Sequence, residues 1–178
     1  GEVDEPNYHV RDTLLLGADR IGHGVNLITD PATLIDMRYG PYLVEINLIS
    51  NLLLEYVTEY DQHPFPEYLR TGVPVALSTD DRGMWDSTIT DEIFVAVTEF
   101  DLSWTELLTL SRNSLSYSFL DNDEKQRVLA LYNKRIERFE KDFRRKGDKV
   151  FADTRPPRLG FICRQYELCR EPSAEALK

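Results

Sequence analysis

Two adjacent carboxylates, Asp80 and Asp81, stand just beyond the apolar run Val73-Pro-Val-Ala-Leu77, separated from it only by Ser78 and Thr79. A short β-branched run entered from a Gly-Val-Pro turn reads as a buried strand, and successive strand residues point to opposite faces. The two acids therefore take different orientations. Their closeness disfavours double ionisation unless a cation or a hydrogen-bond donor compensates. A metal ion at one of them answers that need; the plainer alternative is a strand-to-helix turn in which Asp81 or Ser87 caps the succeeding segment. His23 lies between Gly22 and Gly24 after the strand-like Asp19-Arg20-Ile21. An imidazole flanked by glycines is open to close approach and can exchange a proton near neutral pH, although a satisfied turn histidine has the same sequence. Glu2, directly after Gly1, is the third acid at such a position.

These residues need elements that bring them together. Tyr8 to Leu16 has helical character and ends at Gly17, and Ala18 to Gly24 is strand-like. Pro31 to Arg38 predicts a short helix with Asp30 as its cap, Tyr42 to Asn47 a strand, Pro64 to Arg70 a helical turn, and Val73 to Leu77 a third strand. Strands separated by helical segments indicate parallel βα units, whose carboxyl ends share one rim. After Asp81 the pattern turns almost wholly helical. Asp91 to Phe100 carries apolar residues at helical spacing, Ser103-Trp-Thr-Glu106 is a capping box for a helix to about Ser111, and a long helix opens at Asp121 with acids and closes with Arg144, Arg145 and Lys146 before Gly147. Residues 148–178, with Pro156, Pro157 and Pro172, read as a loop-rich tail with a short helix around Cys163 to Cys169. The division this suggests is 1–120 for the βα units and 121–178 for the long helix and tail.

The 178 residues are 42% apolar and carry a net charge of -10. That acidity argues against a nucleic-acid backbone as partner, since phosphate binding needs a basic face. No apolar run approaches the length of a membrane span, and Gly1 to Glu5 has none of the marks of a signal peptide. A small ligand or a protein partner is the expectation. Cys163 and Cys169 are too few for a disulfide framework or a four-cysteine metal site, leaving free thiols or one local bridge. Glu137 and Glu140, among Lys134, Arg135, Arg138 and Lys141, read as a solvated helix face.

Taken in chain order, Arg20-Ile-Gly-His-Gly24, Leu43-Val-Glu-Ile-Asn47 running into Ser50-Asn51, His63-Pro64, Gly72-Val-Pro-Val-Ala-Leu-Ser-Thr-Asp-Asp81 and Ser87-Thr-Ile-Thr-Asp-Glu92 resemble the adenosine deaminase family. Asn113-Ser114, Ser118-Phe-Leu120 and Asp123-Glu-Lys125 extend the likeness, which covers roughly residues 1–132 and looks most like the growth-factor-related branch. The resemblance implies a zinc-dependent aminohydrolase on a (β/α)8 TIM barrel, here its C-terminal part with about three strands, followed by a helical extension. It implies Asp80 as a zinc ligand and Glu2 as the acid that protonates the purine ring. His23 would orient and deprotonate the attacking water, and Asp81 would bond that water and purine N7. The implied reaction is hydrolytic loss of ammonia from a purine nucleoside, adenosine giving inosine.

The departures matter as much. The family's His-x-His zinc pair and its third histidine ligand have no counterpart here; His9 falls inside a helix and His63 beside Pro64, and both read as surface or turn histidines. A whole barrel takes ~250 residues, so the chain resembles the C-terminal portion of a deaminase. Its partners would be the N-terminal half of the barrel or, because open strand edges invite pairing, a second copy in a homo-oligomer. Where the family often has proline after the acid pair, this chain has Arg82-Gly-Met-Trp85. Those side chains either border the purine or serve only to pair with acids and pack the barrel end. The contrasting reading is a catalytically silent module with inherited carboxylates.

Overall fold

The computed structural model describes residues 8–152, 154 and 158–169. Glu2 lies outside them. The contacts divide the chain into two compact units, 1–117 and 118–178.

In the first unit, helix α1 (His9–Leu15) leads to strand β1 (Arg20–Gly22), helix α2 (Pro31–Tyr39) to β2 (Leu43–Ile46), and helices α3 (Leu48–Leu53) and α4 (Phe65–Thr71) to β3 (Val75–Leu77). The three strands are parallel in the order β1-β2-β3, with Ile21 beside Val44 and Val44 beside Val75. This is the helix-linked parallel arrangement of a partial TIM barrel. Leu43, Val44, Ile46 and Val75 are wholly buried, because apolar residues of helix-covered parallel strands lose water on both faces. The sheet is shorter than the sequence suggests. Ladder bonding begins at Arg20 rather than Ala18 and at Val75 rather than Val73; Pro74 has no N–H to donate, although its carbonyl accepts from Val44 N–H at 2.9 Å.

Local chemistry sets the helix boundaries. Asp30 accepts from Thr33 N–H at 3.2 Å and Thr33 O–H at 2.6 Å, fixing the start of α2. After β3 come the short α5 (Arg82–Trp85), α6 (Ile89–Phe100) and α7 (Trp104–Ser116). Asp81 stands at the N-cap position of α5, without a side-chain cap bond, whereas Thr88 rather than Ser87 heads α6: its N–H and O–H both donate to Asp91 Oδ2, at 2.6 and 2.7 Å. Ser103 and Glu106 form the expected reciprocal box of α7, which runs five residues beyond Ser111. Asn113 near its end donates to Val75 O at 2.9 Å and anchors α7 to β3. Arg20 is held by Glu45 Oε1 at 2.6 Å and by Tyr117 O at 2.8 Å, tying β1 to β2 and to the end of α7.

In the second unit, Asp121 caps α8 (Asn122–Lys146) by accepting from Glu124 N–H at 2.8 Å. Pairs such as Arg144–Glu140 and Arg145–Asp142 line its solvated surface, and Phe139, Phe143 and Phe151 cluster with ring centroids 6.0 to 6.3 Å apart. Helix α9 is Phe161–Gln165. Cys163 and Cys169 form a disulfide, so the local bridge is the alternative that holds and neither thiol is free.

Candidate active site

The parallel register sets the carboxyl ends of the three strands side by side: β1 runs into His23, β2 into Asn47, and β3 into Ser78 to Asp81. At two of these ends the backbone breaks direction. Gly24 N–H donates to Gly22 O at 2.8 Å around His23, whose φ is 61°, and Asp80 has a φ of 49°. Histidine and aspartate are among the residues that tolerate this left-handed region best. Gly24 is at φ 64°, and a Cβ there would collide with the Val44 side chain. Glycine alone lets the His23 turn lie this close to β2. The buried Tyr68 holds the same turn from α4: its hydroxyl donates to Gly24 O at 2.9 Å, with Val25 O at 3.3 Å.

The connection between β2 and α4 supplies the common anchor. Asn47, Ser50 and Asn51 fall at spacings of three and four around the start of α3, which puts them on one helical face, and all three are buried. The Asn47 amide lies 3.1 Å from Ile46 O, 3.3 Å from Ser78 O and 3.1 Å from His23 Nδ1. Two carbonyl oxygens can only accept, so the NH2 belongs on their side and Oδ1 on the side of His23. Nδ1 of His23 then carries the proton and donates it to Asn47, which puts the lone pair on Nε2. Asn51 approaches the same Nδ1, with Nδ2 at 3.2 Å. Its orientation is fixed from behind, because Phe65 N–H donates to His63 Nδ1 at 3.1 Å and His63 Nε2 therefore donates to Asn51 Oδ1 at 3.2 Å. The two amides ask opposite things of His23. Asn47 has two backbone carbonyls behind its orientation, so the proton on Nδ1 is the better satisfied arrangement.

Asp80 is tied to the same helix. Ser50 O–H donates to Asp80 Oδ2 at 2.6 Å, a short charge-assisted bond. Asp80 and Asp81 are both exposed and His23 is half-buried. Asp81 starts the turn into α5, its carbonyl accepting from Met84 N–H at 2.8 Å and Trp85 N–H at 3.1 Å. Thus the structure gathers His23 and Asp80 around the start of α3 and has Asp81 next to Asp80 in sequence, while Glu2 lies outside the described residues.

Three buried groups were not singled out by residue type. His63 is 2% exposed, which corrects the reading of it as a surface histidine while keeping its place in a turn. Burial, followed by the nearby His23, pulls its pKa down to about 4, so it is neutral and can serve as both acceptor and donor. Glu92, on α6, is fully buried and accepts Leu48 N–H at 2.9 Å and Ile49 N–H at 3.4 Å. Burial pushes its pKa up to about 8, with the charges of Asp91 and Asp80 acting in the same direction and the two amide donors against it. Asn51 is the third. The legible signal was the set of polar residues Asn47, Ser50 and Asn51 inside an otherwise apolar stretch.

For a zinc ion, the chemistry fits in part. Asp80 is an exposed carboxylate with one oxygen fixed by a hydroxyl, as metal-ligating carboxylates characteristically are. Among the described residues no group of three or more His, Cys, Asp or Glu could hold a metal, whereas a zinc site takes at least three protein ligands. Among the described residues Asp80 is thus a single candidate ligand, short of the three that a zinc site takes.

The family model for adenosine deaminase matches residues 1–134. The adenosine deaminase of Enterococcus faecalis is 34% identical over 129 residues, covering 72% of this chain and 37% of that protein. The chain thus spans well under half the length of that curated relative. Among solved structures, the adenine deaminase of Arthrobacter aurescens superposes with a TM-score of 0.71 at 25% identity, over 77% of this chain and 42% of that one. A zinc-bound amidohydrolase from Burkholderia ambifaria has the same TM-score at 17% identity, over 80% and 40% of the two chains, and shares the fold.

Proposed function

Because the chain belongs to the adenosine deaminase family, we propose that it carries the C-terminal share of the active site of a zinc-dependent aminohydrolase, which replaces the exocyclic amine of a 6-aminopurine nucleoside, adenosine giving inosine. The observation that carries this reading is the gathering of His23, against Asn47 at the head of α3, and of Asp80, against Ser50 within it, at the ends of three parallel strands. Residues 1–120 would hold the chemistry and 121–178 would not.

In this reading Asp80 is one zinc ligand, kept in place by Ser50. Zinc supplies Lewis acidity, bringing the pKa of a water towards neutrality. His23, with its proton on Nδ1 engaged by Asn47, takes the water's proton at Nε2 and passes it on during loss of ammonia. Asp81 would hydrogen-bond the attacking water and purine N7. Glu2, as the neutral acid, donates to ring N1 and makes C6 electrophilic. The N-terminal barrel strands would bring the histidine ligands.

The test is made on the full-length protein, by zinc analysis and by the fall in ultraviolet absorbance as adenosine is consumed. Asp80→Ala should remove zinc and activity together, and Glu2→Gln should keep the zinc while lowering kcat by ~10² or more, as loss of a general acid does. A zinc-loaded wild-type protein that turns over no 6-aminopurine nucleoside would end the proposal.

A further inference from the structure

Glu92 has no part in the proposed mechanism, yet among the described residues it is the one acidic side chain that is buried. A carboxyl group from α6 is taken wholly out of water to meet two backbone amides 44 and 43 residues away in sequence. Burying such a group without partners is strongly unfavourable, and the partners it finds are informative. Leu48 and Ile49 are the first two residues of α3, whose early N–H groups have no carbonyl within the helix to bond. No side chain caps this helix from Asn47, because the Asn47 amide is committed to Ile46, Ser78 and His23. Glu92 takes over that task from across the fold.

We infer that Glu92 is a positioning residue for the candidate site: by gripping Leu48 and Ile49 it fixes the first turn of α3, and with it Ser50, through whose hydroxyl that helix holds Asp80. The reach is short. Ser50 follows Ile49 directly and donates to Asp80 Oδ2 at 2.6 Å. At six residues, α3 has too few internal bonds to hold its own orientation. A rotation of its first turn would be transmitted undiminished to the Ser50 hydroxyl. Conversely, α6 is well fixed, with Thr88 and Asp91 closing its start and Val95 and Ala96 wholly buried. The first four residues of α3 are buried as well, so what Glu92 adds from this fixed helix is an acceptor for the two N–H groups that set the orientation of the first turn.

This inference rests on the assignment of Asp80 as a metal ligand, and its test separates the two. In the full-length protein, the dissociation constant for zinc alone is measured by chelator competition for the wild type, E92M, E92D, E92Q, S50A and the E92M/S50A double variant. E92M keeps the bulk and leaves the two amides without an acceptor; E92D keeps the acid and withdraws it by one methylene. Each should weaken zinc about 10- to 100-fold, the effect typical of losing a group that orients a metal ligand. E92Q, which retains an acceptor oxygen for Leu48, should stay within about threefold of the wild type, since the stronger contact of 2.9 Å is kept. S50A should resemble E92M, and the double variant should be no weaker than the worse single one, because both act along one path. Wild-type affinity in E92D, or in a folded E92M, would overturn the inference, as would multiplying effects in the double variant. Should E92M not fold, E92D against E92Q decides. A wild-type protein that binds no zinc, or an Asp80→Ala variant that binds it undiminished, would instead overturn the assignment of the metal site.

Discussion

The two buried ionisable groups beside α3 should give the protein a characteristic stability profile against pH. Glu92 has its pKa pushed from 4.5 to about 8 by burial, so the folded state retains a proton that the unfolded state has released. Its stabilising contribution is fully present below 4.5 and is lost as pH rises through 8. His63 goes the other way. Its pKa is drawn from 6.5 down to about 4, so the unfolded chain binds a proton that the folded chain refuses, and stability is lost as pH falls from 6.5 through 4. One pKa unit of difference is worth about 1.4 kcal/mol, which gives ceilings of roughly 5 kcal/mol for Glu92 and roughly 3 kcal/mol for His63. Between 4.5 and 6.5 the two slopes have opposite signs and cancel. The wild-type profile should therefore be flat there, fall by about 2 kcal/mol from 6.5 to 8, and fall again below 4.5. Urea unfolding of the metal-free protein, followed by circular dichroism across this range, measures it. In E92Q the descending alkaline limb should vanish and stability should rise steadily from pH 4 to 6.5 before levelling. An E92Q profile parallel to the wild type between 6.5 and 8 would refute the argument, because a raised carboxyl pKa is then not what shapes that limb.

Two further outcomes concern the His23 turn. Gly24→Ala should leave little soluble folded protein, since it combines a left-handed φ of 64° with a collision against Val44 in the core of β2; normal yield and an unchanged melting temperature would count against the close approach. Tyr68→Phe should cost about 1 to 2 kcal/mol in urea unfolding, the usual result of leaving buried carbonyls without their donor. A variant as stable as the wild type would mean that the bonds to Gly24 O and Val25 O contribute nothing.

The sheet was legible because its signals are local. Val75, Ala76 and Leu77 form an apolar run, Leu43 through Ile46 is apolar but for Glu45, and the helical spacing between them leaves parallel pairing as the simple solution. Helix α3 was not legible for the opposite reason. Leu48-Ile-Ser-Asn-Leu-Leu53 follows β2 after Asn47 alone, with no glycine or proline between them, and periodicity cannot separate so short a buried helix from a strand. Its first turn is held by Glu92, a residue more than forty positions away, so nothing within the segment announces where the helix begins.

The site divides along the same line. His23, Asp80 and Asp81 could be named from type and position, because glycine neighbours and paired acids at strand ends are chemical oddities in themselves. Their supports could not. Asn51 and His63 acquire meaning only when β2, α3 and the turn before α4 are folded together, for then Phe65 N–H fixes the tautomer of His63, His63 fixes the amide of Asn51, and Asn51 faces His23. Each of these bonds joins a donor to an acceptor of settled kind, whereas the last meets a ring nitrogen that Asn47 has already claimed. The chain thus places one catalytic candidate between two amides of opposing demand, and the balance between them decides which nitrogen of His23 can receive a proton. Exchanging Asn47 for an apolar residue would hand that choice to Asn51, move the proton to Nε2, and remove the base that the proposed reaction requires.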